Sequence, residues 1–70
     1  MAKKLITISS EVMHGTPVFA GTRVPVAYLF EHIEAGETID DFLDGYPSVT
    51  REHAVAVLEA AKSTLIAQAA

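Results

Sequence analysis

The side chains able to do chemistry in this 70-residue chain are few and scattered. His14, His32 and His53 fall in a loop and in two different helical stretches, without the short spacings that let two ligands share one metal, and there is no cysteine to assist them. No metal is expected. The serines sit at helix-capping positions or late in the last helical stretch, so none forms a nucleophile–base pair, and no glycine-rich phosphate loop follows a strand. The expectation is a non-enzymatic chain with no cofactor.

Binding chemistry is the alternative. Thr50, Arg51 and His53 stand together at the start of the last helical stretch, where the helix N-terminus itself attracts phosphate, and they are candidate DNA contacts. Glu52 among them opposes an anion. Lys3 and Lys4 could reach phosphate from an N-terminal arm, although paired terminal lysines also serve solubility. Arg23 lies between Thr22 and Val24, and its planar fork is expected to bridge a carboxylate or carbonyls where two elements join. Leu65 and Ile66, adjacent in a run with no charge after Lys62, are candidate partner-binding residues, since both cannot face one core.

Charge narrows the options. The net charge is −4 and the pI near 5.1, which excludes a protein that coats nucleic acid through bulk charge. Between Val24 and Thr50 there is no Lys or Arg, while Glu31, Glu34, Glu37, Asp40, Asp41 and Asp44 all fall there. Any anion-binding surface must come from the N-terminal element and the start of the last helix.

The elements that would position these residues are legible in the spacing. Leu5–Ile8 reads as a strand, Ser9–Met13 as one capped turn ended by Gly15, and 17–19 with 22–24 as further short strands around a reversal at Ala20-Gly21. Pro25 suits the first position of a helix that ends before Gly36, with Val26, Leu29, Phe30 and Ile33 on one face. Thr38 and Asp41 make a capping-box start for a second helix with Ile39, Phe42, Leu43 and Tyr46 apolar, broken by Gly45-Tyr46-Pro47. Thr50 caps a third and longest helix, whose core stripe is Ala54, Val57, Leu58, Ala61 and Leu65. The fold class is mainly α: short N-terminal β-strands in residues 1–24, then a three-helix unit in 25–70, all one domain. Two helices joined by a Gly- and Pro-containing turn have the sequence form of a helix-turn-helix.

A chain this short buries only about 60% of the surface it exposes when unfolded, and without disulfides a homodimer is the expected state. Two lysines followed by a few apolar residues make no signal peptide, and no stretch has the length of a membrane span, so a cytoplasmic location away from any membrane is expected.

One run is more specific. His14-Gly15-Thr16-Pro17-Val18-Phe19-Ala20-Gly21-Thr22-Arg23-Val24-Pro25-Val26, followed by Ala35-Gly36, Phe42-Leu43 and Tyr46-Pro47, resembles the family catalogued as domain of unknown function 433. The resemblance spans nearly the whole chain and is sharpest at Gly-Thr-Arg-Val-Pro-Val, 21–26. It implies a homeodomain-like helix-turn-helix, a grouping with VapB-type antitoxins, and a PIN-like ribonuclease toxin as partner. It also makes Gly15, Pro17, Gly21, Thr22, Arg23 and Pro25 the structural signature. The expected function is an antitoxin-like DNA-binding protein that binds its own operator and neutralises such a toxin; the alternative is a homodimeric interaction module without DNA affinity.

Overall fold

The β-branched run after Lys4 and the Val18-Phe19 pair meet as a small antiparallel ribbon, the geometry their side chains favour. In the computed structural model, which describes residues 4–8 and 13–69, β1 (Ile6–Thr7) pairs with β2 (Val18–Phe19), Ile6 opposite Phe19 and Thr7 opposite Val18. The Ala20 N–H extends the pairing by donating to the Leu5 carbonyl at 3.0 Å. A 3-10 turn, Met13–Gly15, holds two successive left-handed residues, His14 at φ 55° and Gly15 at φ 85°. Residues 9–12 of the expected capped turn lie outside the described residues.

The third strand expected at 22–24 does not form, and Thr22 is the reason. Its hydroxyl donates to the Phe19 carbonyl at 2.8 Å and accepts from the Val24 N–H at 3.0 Å, so a side chain closes the reversal that a strand ladder would have closed. Gly21, at φ 80°, supplies the left-handed step within it. The returning arm touches β2 through a single bridge, Val18 to Pro25, flanked by the bonds Phe19 N–H to Val24 O (2.9 Å) and Val26 N–H to Pro17 O (3.0 Å).

Pro25 is also one residue earlier in its helix than expected. It is the N-cap of α1 (Val26–Glu34), with ψ at 134° because its carbonyl side is still extended in the bridge to Val18. At the far end Gly36, at φ 86°, lets the Glu37 N–H reach His32 O (2.9 Å) and its own N–H reach Ile33 O (3.0 Å), a Schellman wrap. Helix α2 (Ile39–Gly45) starts with the expected capping box: the Asp41 N–H donates to the Thr38 hydroxyl at 3.1 Å and the Thr38 N–H to the Asp41 carboxylate at 2.9 Å. These donors hold the Asp41 carboxyl below its ordinary pKa, backbone first and hydroxyl second. Helix α3 (Arg51–Ala69) is one uninterrupted rod, 19 residues long.

The core gathers Phe19 and Val24 from the β element, Val26 and Leu29 from α1, Phe42 from α2, Val49 from the α2–α3 turn, and Ala54 and Val57 from α3. Phe19 and Phe42 lie with ring centroids 5.8 Å apart at its centre. The architecture is therefore three helices with a two-stranded ribbon, mainly α as expected. Two members of the expected stripes are uncovered: Ile33 near the end of α1 is 42% exposed, and Leu65 near the end of α3 is 66% exposed.

Candidate functional site

The first turn of α3 is built around its cap. The Thr50 hydroxyl accepts from the His53 N–H at 3.1 Å, leaving the preceding turn to deliver the chain through buried Val49. His53, three residues on, is half-buried and turned toward β1. Its ring Nε2 donates to the Leu5 carbonyl at 2.8 Å, and its edge meets Phe19 at a centroid distance of 5.1 Å. The side chain therefore fastens α3 to β1, since the end of the short ribbon leaves a carbonyl at hydrogen-bonding distance.

Arg51 is exposed but not free. It forms an ion pair with Asp40 of α2, so the strongest cation of the candidate DNA surface is neutralised by an acid from the preceding helix. Lys4 and Thr50 do come together, and with Glu52, His53, Leu5, Ala20 and Ala56 they border an open cleft of about 480 Å³ between β1 and the start of α3. Its charges are opposed, Lys4 against Glu52. Lys3 lies outside the described residues.

Arg23 does not bridge the element junction. It is exposed, and among the described residues it makes no ion pair or hydrogen bond, because Thr22 closes the turn and the carboxylates of the chain sit mostly on α1 and α2. The other signature residues are explained by geometry: left-handed Gly15 and Gly21, the Thr22 clamp, the Pro17 carbonyl that receives the Val26 N–H, and the Pro25 cap.

The free end of α3 is the larger surface. Every described residue from Lys62 to Ala69 is exposed, including Leu65 at 66% and Ile66 at 63%. The pair Lys62 and Glu59 (2.9 Å) marks the outer face, on which Val55 and Ile66 also fall. Round the helix, Ile6, Val26, Phe30, Val57, Ala60, Ala61 and Thr64 border an open apolar groove of about 240 Å³. The sequence reading missed this groove, and also the Asp40 partner of Arg51. The groove joins three elements distant in sequence; the only local trace was Ile6 and Ile8 on one side of a strand, both exposed.

Among the described residues no group of three His, Cys, Asp or Glu side chains is placed to hold a metal ion, and no helix is long and apolar enough to cross a membrane.

A ribbon clamped by Gly-Thr, a proline-capped first helix and two further helices define a small three-helix domain of one particular kind. The chain matches the family described as "Protein of unknown function (DUF433)" over residues 6–60 and belongs to it. Over 51 residues it is 37% identical to the uncharacterised protein y4eO of Sinorhizobium fredii, an alignment covering 73% of this chain and 23% of that protein. The chain thus corresponds to about a quarter of that relative's length. No solved structure matches it. The family match closes at residue 60, just before α3 leaves the core.

Proposed function

We propose that this chain acts in the cytosol as a non-enzymatic, antitoxin-like binding protein that neutralises a PIN-like ribonuclease toxin through the free end of α3. The observation that carries the reading is the eight-residue run from Lys62 to Ala69, wholly exposed and bearing Leu65 and Ile66, on a chain whose family resemblance implies a grouping with VapB-type antitoxins. A helix end held out from the core, bearing Leu65 and Ile66 and no charge after Lys62, suits insertion into an apolar groove of a partner. Ile66, on the outer face beside Val55, is the natural first anchor.

Co-expression with the product of the neighbouring gene tests this reading. The two products are expected to co-purify and growth to be restored, with both effects lost in Ile66→Glu. If the unaltered chain neither co-purifies nor relieves toxicity, the reading fails.

Operator binding is a second activity of the same proposal, favoured by the arrival of Lys4 and Thr50 together beside the N-terminus of α3. One copy is poorly equipped for it, since Arg51 is paired to Asp40 and Glu52 borders the same cleft. Two copies would double the weak footprint. Fluorescence anisotropy against the upstream duplex, with a scrambled duplex as competitor, decides it: equal or absent binding leaves the alternative, an interaction module without DNA affinity.

A further inference from the structure

Among the described residues the Lys and Arg side chains divide into two kinds. Arg51 is held by Asp40 and Lys62 by Glu59, so their charges are answered within the chain. Lys4 and Arg23 make no ion pair among the described residues, and both are exposed. The fold sets these two at the same end of the ribbon. Leu5 lies opposite Ala20 in the register of β1 with β2, so Lys4, the next residue out, runs alongside the Ala20–Arg23 reversal. The bond from Phe19 N–H to Val24 O closes that reversal one strand further over, which leaves the backbones of Lys4 and Arg23 two strand spacings, about 10 Å, apart.

Nothing in the fold asks for the Arg23 side chain. The Thr22 hydroxyl closes the turn and Gly21 supplies its left-handed step. Alternation along the returning arm carries Val24 into the core and leaves Arg23 on the outer side. A cation in the most specific stretch of the chain is therefore spare, on the element beside the start of α3.

We propose that Arg23, with Lys4 beside it, grips the phosphate backbone of DNA, an inference that rests on the operator-binding reading above. The planar guanidinium takes two phosphate oxygens at once, and the Lys4 ammonium adds a point charge next to it. A contact of this kind fixes where and in which orientation the chain sits on a duplex and reads no bases. The charge layout favours this approach over any other. Glu31, Glu34, Glu37, Asp40, Asp41 and Asp44 are all exposed on α1, α2 and the link between them. A chain of net charge −4 is repelled by a polyanion along those faces and least repelled at the ribbon end. The cleft bordered by Lys4, Ala20 and Thr50 joins that end to the first turn of α3, so one strand of a duplex can meet both. Arg23 thus supplies the unanswered cation that Arg51, paired to Asp40, does not.

The test is fluorescence anisotropy on the duplex upstream of the gene and on its scrambled counterpart, repeated between about 50 and 200 mM salt, with the full chain and with Arg23→Gln, Arg23→Lys and the double variant Arg23→Gln with Glu34→Gln. Arg23→Gln is expected to keep the Tm of the unaltered chain. It should bind both duplexes about fivefold to tenfold more weakly at low salt, and its plot of log K against log salt should be shallower by about 0.9 per protomer. Arg23→Lys should keep the slope, and the double variant, which restores the net charge of −4, should not recover it. An unaltered slope in Arg23→Gln overturns the proposal and leaves operator binding standing. So does a loss confined to the native duplex, which would mean base reading, a lowered Tm, which would give the side chain a structural role, or recovery in the double variant, which would mean bulk charge. An Arg23→Lys slope as shallow as that of Arg23→Gln overturns it as well. If the unaltered chain binds neither duplex, the proposal and the operator reading fall together.

Discussion

The two halves of α3 share one helix, but they live in different surroundings. From Arg51 to Ala61 the helix is fixed by Ala54 and Val57 in the core and by His53 reaching the Leu5 carbonyl. From Lys62 to Ala69 the described residues are all exposed, tied back to the first half by the Glu59–Lys62 pair and by the Thr64 hydroxyl donating to Ala60 O at 3.0 Å. The difference teaches that apolar spacing records which face a helix intends to bury, whereas the neighbouring elements decide how far along that face burial extends.

The sharpest way to break this contrast is to truncate one apolar side chain on each side of it. Phe42→Ala removes a fully buried ring that meets Phe19, His32 and Tyr46, and should cost about 3–5 kcal/mol, most of the stability of a domain this small. Leu65→Ala, measured at dilutions where the chain is single, should stay within about 0.5 kcal/mol. Urea unfolding of both decides it, and comparable losses would mean that the free end is covered after all.

A smaller effect is expected at the fastening of the packed half. His53→Ala removes the bond to Leu5 O and the edge contact with Phe19, and should cost about 1–3 kcal/mol. Amide hydrogen exchange should show the loss concentrated in β1 and the first turns of α3. Uniform loss along all of α3 would show instead that the two halves open together.

The smallest effect belongs to the α2 cap, which serves as the pH control on the packed region. Because the folded Asp41 carboxyl sits below its ordinary pKa, its contribution is present above the unfolded value and is lost as pH falls through the lowered folded value. Acid titration followed by NMR should therefore find the Thr38 and Asp41 amides shifting only below the pH at which an ordinary aspartate titrates. The Asp41→Asn variant should lose that late step.

Much of this was readable beforehand, where the cause is local. The capping box at Thr38 and Asp41, the Thr50 cap and the Gly36 stop all rest on residues within a turn of each other, and each is found in place, as are the apolar stripes except for the exposed Ile33 and Leu65. What escaped the sequence depends on distant encounters. Arg51 meets Asp40 across a helix junction, and His53 meets Leu5 from 48 residues away. Neither has any signature in spacing, and together they turn two of the candidate DNA contacts into ties within the domain. The missing third strand is a subtler case. Thr22 reads as a strand former, and its hydroxyl instead satisfies the turn.

The continuity of α3 has a consequence of phase. With no break between its halves, each residue added within it turns whatever follows by about 100° and advances it about 1.5 Å. A single alanine inserted after Ala61 would point Leu65 and Ile66 at new quarters of the compass. Seven would return them to within about 20° of their present bearing, displaced outward by about 10 Å. The helix therefore acts as a screw thread on which angle and reach are coupled, and a change in one can be compensated only by insertions that come close to whole turns.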